Sequence, residues 1–286
     1  MGARRLLSVI AAALLAGCAA VPAEQPDDFD DDAAAPPQRA ATLDWHPALA
    51  PADAASAAGA ASAMTIATGA ATATTTTWTH TVFPGKRASV YGAVQMDGRP
   101  AMSAQAVSSA SMLRQRVRVE ATDLNRLRFA WKVPALMSDA DLSHRDLDDS
   151  PVRIVLAFDG DRSRFSAKNA LLSELSHAFT GEPMPYATLM YVWCNRCAPG
   201  SVVINPRTDR IRKLAIESGS LNLDRWLDYE RDIRADFELA FGEAPGALLA
   251  VGIMTDSDNT SSTAQAWYGP VQLVARRPAP PAVLEP

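Results

Sequence analysis

The chain has 286 residues, 27 basic and 32 acidic, with a net charge of −5. That balance argues against a nucleic-acid binder, because phosphates repel an acidic partner. Four histidines are few for a hydrolase, and no Gly-x-Ser-x-Gly, His-Glu-x-x-His or phosphate-loop motif is present.

Arg4 and Arg5 open the chain, followed by the uncharged, mostly apolar stretch Leu6 to Leu15. That stretch is too short to span a bilayer, which needs roughly 20 apolar residues, and it reads as a secretory signal over residues 1–17. The next residues, Leu15-Ala16-Gly17-Cys18, look like a bacterial lipobox, so Cys18 is the expected lipidation site and the lipid the expected link to a membrane. Several acyl chains anchor stably where one does not. By resemblance to enterobacterial sorting, Ala19 in place of Asp points to the outer rather than the inner membrane. Loss of Arg4 and Arg5 with the signal takes the charge to −7, from 25 basic and 32 acidic residues.

Residues 18–75 are rich in Ala, Pro, Thr and Asp. Asp27, Asp28, Asp30, Asp31 and Asp32 repel one another, and the segment has too little apolar surface to order itself. It is expected to be a disordered tether, with a helix near 48–64 as the alternative. Residues 276–286 are Pro-rich and expected to be a loose tail.

Residues 76–275 are about one domain's worth. In chain order, strands are predicted at Arg87–Gln95, Leu113–Val119, Arg126–Val133, Val152–Phe158, Thr188–Trp193, Ser201–Asn205, Ile211–Glu217, Leu248–Thr255 and Gln265–Val274. In the third, Leu127, Phe129, Trp131 and Val133 alternate with Arg126, Arg128, Ala130 and Lys132, as on a half-buried strand with a basic outer face. One helix is predicted from a Ser166 cap to about Phe179, with Leu171, Leu172 and Leu175 on one face and Gly181 beyond its end. A second is predicted from about Leu223 to Phe241, from the spacing of Trp226, Tyr229, Ile233, Phe237 and Phe241. Many short strands separated by turns predict a mostly β antiparallel sandwich of jelly-roll type, with one or two helices packed on it.

Six segments together resemble a known family. They are Phe129-Ala130-Trp131-Lys132-Val133, Asp148-Asp149-Ser150-Pro151-Val152-Arg153-Ile154, Tyr191-Val192-Trp193, Trp226 with Arg231-Asp232, Met254-Thr255-Asp256-Ser257-Asp258-Asn259-Thr260, and Ala266-Trp267-Tyr268-Gly269. Their order and spacing are similar to those of the bacterial domain-of-unknown-function family numbered 3047, over roughly Trp78 to Val274. The resemblance implies a β-sandwich like those of carbohydrate-binding modules and implies no reaction. Cys194 and Cys197 depart from it.

Cys194-Asn195-Arg196-Cys197 has the spacing of a redox motif, but that chemistry needs the first thiol at a helix N-terminus. Ala198-Pro199-Gly200 and a strand follow instead, so a disulfide bracing a hairpin loop is expected, as an exported compartment allows. Zinc, which would need two further ligands, redox catalysis and free thiols are the alternatives. His144 beside Asp146 is expected to be solvated.

Asp148 and Asp149 open one strand, and Asp256 and Asp258 close another. If the two pair antiparallel, four carboxylates meet at one rim, with Asn259 and Thr260 adding neutral oxygens. Three readings are open. Turn chemistry and ion pairing to Arg153 or Arg231 is the first. A calcium ion held by Asp148, Asp149, Asp256 and Asp258 is the second, and a carboxylate pair doing acid/base work the third. Trp131, Tyr191, Trp193 and Tyr268 are candidates for a sugar-stacking platform, with core packing as the default for Trp131. Two functions follow. One is a non-catalytic binding module at the cell envelope for a glycan or other envelope ligand. The other is an enzyme acting on envelope polysaccharide through the acidic cluster. Acids locked to arginines or a cation under a closed surface favour the first, and a paired acid and base in an open cleft beside aromatics favours the second.

Overall fold

The structure, a computed structural model, describes residues 62–65 and 75–274, with side chains from Trp78 onward. Cys18, the signal segment, most of the expected tether and the tail lie outside the described residues.

Fourteen strands are described. The first seven are β1 (Ser62–Thr65), β2 (Thr75–Val82), β3 (Val90–Met96), β4 (Arg99–Val107), β5 (Ala110–Val119), β6 (Arg126–Lys132) and β7 (Ser150–Phe158). After helix α1 (Ala167–Thr180) come β8 (Ala187–Cys194), β9 (Val202–Ile204), β10 (Ile211–Ser218) and β11 (Leu227–Asp232). Helix α2 (Ile233–Phe241), β12 (Leu248–Asp256), β13 (Thr263–Tyr268) and β14 (Gln272–Val274) complete the order. The larger sheet runs β1-β2-β5-β12-β7-β8-β10-β9, and the smaller β11-β6-β13-β4-β3 with β14 also paired to β6. Pairing is antiparallel except between β8 and β10. The inner faces share one core. Ile154, Leu156, Leu189 and Ile253 come from the larger sheet, and Leu127, Phe129, Trp131 and Tyr268 from the smaller. The chain is thus a β-sandwich with two helices.

Several elements differ from the predicted ones. Leu227–Asp232, predicted as helix, is the strand β11, and only Ile233–Phe241 is helical. Leu227, Tyr229 and Arg231 also fit a period of two, and β11 gains a partner in β6, where Glu230 pairs with Arg126 and Arg128. Tertiary pairing decides between the two periods. The Asp232 side chain then accepts from Ala235 N at 3.0 Å and starts α2. β4 was not predicted: Ala101, Ala104 and Ala106 carry little strand propensity, yet they are buried. Gly269-Pro270 splits the predicted Gln265–Val274 run into β13 and β14. β1 falls inside the segment predicted as a tether and pairs with β2.

Helix α1 begins and ends as predicted: Ser166 Oγ accepts from Asn169 N, and Gly181 is left-handed at φ 75°. Its expected contact face is wrong. Leu171, Leu175 and Phe179 are exposed, at 61%, 43% and 73%, while Asn169 and Ser173 are buried. Asn169 bonds Asp209 and Thr208, so a polar contact fastens the helix.

Candidate functional site

The antiparallel pairing of β7 and β12 sets Asp256 opposite Ser150, which brings the two acidic segments to one end of the sandwich. Alternation along β7 sends Val152, Ile154 and Leu156 inward, so Arg153, Val155 and Ala157 lie on the outer face of the larger sheet. On β12, Met254 and Asp256 share that face with them.

Arg153, only 3% exposed, is the hub. Its Nε donates to Asp256 Oδ1 at 2.8 Å and its Nη2 to Asp256 Oδ2 at 2.9 Å. Nη2 also reaches Asp148 Oδ1 at 3.2 Å and the Asp148 carbonyl at 2.9 Å. Lys213, fully buried, donates to Asp148 Oδ2 at 2.5 Å and to the Leu142 carbonyl at 2.9 Å. Asn205 Nδ2 adds a third bond to Asp148. Asp149 is held by neutral donors: Asn259 N and Nδ2 on Oδ1, and Thr260 N and Oγ1 on Oδ2. Asp258, largely buried, pairs with the more exposed Lys86.

Burial pushes Asp256 up to about 6 despite Arg153, with Asp149 and Asp148 adding like charge. Burial lowers Lys213 to about 8, with Arg153 adding to the effect and Asp148 opposing it. Burial also opposes the Arg153 charge, but Asp256 and Asp148 outweigh it and its pKa is raised.

Asp148, Asp149, Arg153, Asp256, Asp258 and Asn259 therefore come together as the sequence predicts. Arg231 does not. It lies on β11 of the other sheet and holds Asp236, with its Nε 2.9 Å from Oδ2. Sequence reasoning missed Lys213 and Lys86. The available signal for Lys213 was its phase: it shares a face of β10 with Ile211 and Ala215, which marks a buried lysine needing an acid.

Among the described residues, Asp149, Asp256 and Asp258 each offer a carboxylate oxygen within 4.8 Å of the others. Asp148, a calcium ligand in the second reading, is outside that set and is held by Arg153, Lys213 and Asn205. Lys86, Arg153 and Lys213, with the neutral donors of Asn259 and Thr260, face these carboxylates, as in the first of the three readings.

The four candidate aromatics form no platform. Trp131, Tyr191 and Tyr268 are fully buried and Trp193 is 1% exposed. Trp131 on β6 shares the inward phase of Phe129, Tyr191 and Trp193 on β8 share that of Leu189, and Tyr268 points inward from β13; the polar tips of the last three are used inside. Tyr268 OH donates to the Met254 carbonyl at 2.6 Å, Tyr191 OH to Asp236 at 2.9 Å, and Trp193 Nε1 to the Gly219 carbonyl at 2.9 Å.

Cys194 and Cys197 form a disulfide. No helix begins at Cys194, so the redox context is absent. The loop is not a hairpin, because β10 lies between β8 and β9.

Next to the ionic cluster, the outer face of the larger sheet carries an open groove of about 1040 Å³. Its floor is Met112, Val155, Ala157, Met190, Gly252 and Met254. Leu172 and Phe179 of α1 form one wall, and Phe83 and Pro84 after β2 form another. Glycine weakens a strand interior and often marks a close approach or a ligand site. Here Gly252 bares the backbone at the floor, and a Cβ would lie 3.1 Å from the Leu113 carbonyl oxygen. A smaller pocket of about 210 Å³ continues from the groove to Arg153, Asp256 and Asp258.

Comparison with solved structures shows a similarity to the xyloglucanase domain of NopAA, a type three effector from Sinorhizobium fredii, in complex with cellobiose. The two are 8% identical with a TM-score of 0.36, over 70% of this chain and 94% of that one. At that distance the likeness carries no argument about ligand or activity. No curated protein matches the chain. The family model described as "Protein of unknown function (DUF3047)" matches residues 76–272. The chain therefore belongs to the DUF3047 family.

Proposed function

We propose that the domain is a non-catalytic binding module whose ligand site is the groove on the outer face of the larger sheet. The observation that carries this is the commitment of the carboxylates at the groove and its mouth. Asp148 and Asp256 are held by Arg153, Asp258 by Lys86 and Glu182 by Arg114. Glycoside hydrolysis would need two carboxyl groups facing a shared substrate across an open cleft. A groove with an apolar floor and a few polar groups at its rim is the usual form of a small-ligand site.

Export and lipid anchoring through Cys18 would place the module at the cell envelope, on the outer membrane by the residue at position 19. The lipobox sequence supports that placement. The Cys18→Ala protein should leave the membrane fraction or go unprocessed; normal processing with membranes retained would mean another anchor.

Ligand binding is tested by screening envelope glycans and lipids against the purified full-length protein and its Ala157→Trp variant, which fills the groove floor. The expected result is a retained component that the variant loses at unchanged melting temperature, with no cleavage product. Polysaccharide cleavage that disappears in Asp256→Asn would establish the enzyme instead.

A further inference from the structure

The geometry points to a specific ligand class for this groove: a linear aliphatic chain ending in an anionic head group. The inference rests on the groove being the ligand site and deepens that reading.

The floor argues for the chain. Met112, Met190 and Met254 rise from adjacent parts of three strands, with Val155 and Ala157 between them. Methionine is unbranched and polarisable, and it fits itself to flexible apolar partners. No aromatic ring lies on the floor to stack on a sugar face; the rings that line the groove, Phe83 and Phe179, stand in its walls. The apolar surface also continues outward, because Phe179 is 73% exposed at the groove edge.

The rim argues for the head group. Three cations line the groove: Lys86, Arg114 and Arg207. Lys86 is paired with Asp258, and Arg114 is bonded twice to Glu182, at 2.8 and 3.0 Å. Arg207 is exposed and has no carboxylate within ion-pair distance among the described residues, although the loop holds its backbone, with its N–H on Asn205 Oδ1 at 2.9 Å. It lines both the groove and the pocket next to Arg153. A positive charge at the end of an apolar trough, on a chain of net charge −5, selects a molecule that is apolar along its length and negative at one end.

The test is calorimetric titration of the full-length protein with laurate, dodecanol and cellotetraose, repeated with Arg207→Gln and Ala157→Trp. Laurate should bind, with dodecanol about tenfold weaker, as expected for loss of one charge-assisted contact. Arg207→Gln should remove that difference, and Ala157→Trp should abolish binding of both. Because Arg207 is exposed, its variant tests the head group without disturbing the fold. Equal binding of laurate and dodecanol would overturn the head-group assignment and leave the groove reading standing. Cellotetraose binding that Ala157→Trp abolishes, without laurate binding, would overturn the aliphatic class and again leave the groove reading. Laurate binding unchanged in Ala157→Trp would overturn both.

Discussion

Arg153→Met is the sharpest test of how the acidic end is held together. The substitution keeps an unbranched side chain of similar reach and removes the charge that faces Asp256 and Asp148. Asp256, 3% exposed, would keep only the Ser150 N–H at 3.2 Å, while Asp148 would keep Lys213 and Asn205. Removing one partner of a buried ion pair costs about 3–5 kcal/mol, because the other charge is left desolvated. Against a typical domain stability of about 5–15 kcal/mol, that is a large fraction. Urea unfolding at pH 7 should therefore show a midpoint well below wild type. The Arg153→Met/Asp256→Asn double variant should recover part of the loss, since the stranded carboxylate is gone, with a coupling on the order of 2 kcal/mol. A single-variant cost under about 1 kcal/mol, or strictly additive costs, would refute a central role for this pair.

The same cluster has a pH signature. Asp256 at about 6 in the fold, against about 3.9 in the unfolded chain, means that the folded state binds its proton more tightly. That contribution is complete below about pH 4 and is lost, by roughly 3 kcal/mol, as pH rises through 6. Lys213 has the opposite sense of proton affinity: lowered to about 8, it makes stability rise between pH 8 and about 10.5. Asp256→Asn should flatten the first window in urea unfolding; parallel wild-type and variant curves would exclude the shift. Arg231→Ala should cost about 2 kcal/mol, less than Arg153→Met, because Asp236 keeps the Tyr191 hydroxyl and Arg231 is already 35% exposed. A cost equal to that of Arg153→Met would place Arg231 in a larger network than its contacts show. Chelator should leave the melting temperature unchanged, since Asp149 and Asp258 are satisfied by Asn259, Thr260 and Lys86. A rise on adding calcium would reinstate a cation at Asp149, Asp256 and Asp258 by mass action.

Much of the sandwich was legible in the sequence because strand and cap signals are local. Val152–Phe158 and Leu248–Thr255 are apolar runs of strand length, and the predicted ends match β7 and β12 closely. Ser166 and Gly181 set the ends of α1 through their own backbone and side-chain chemistry. Even the meeting of the acidic segments was legible, because antiparallel pairing places the start of one strand beside the end of its neighbour.

What the sequence left open were choices between two readings that local chemistry allows equally. The stripe from Trp226 to Phe241 suits a helix or a strand followed by a helix, and pairing with β6 selects the second. Trp131, Tyr191, Trp193 and Tyr268 suit a platform or a core, and the phase of their strands against the opposite sheet puts them inside. Arg153 and Arg231 were equally able to neutralise the acids, until the topology set them on different sheets. The groove could not be read locally. Its floor is drawn from strands far apart in the chain, and its walls are α1 and the residues after β2, whose positions depend on the completed sheet. Local propensity acts over a few residues and is written in their order. The partner of Lys213, the place of the exposed Arg207 and the trough beside it depend on which distant strands become neighbours, and only the folded chain decides that.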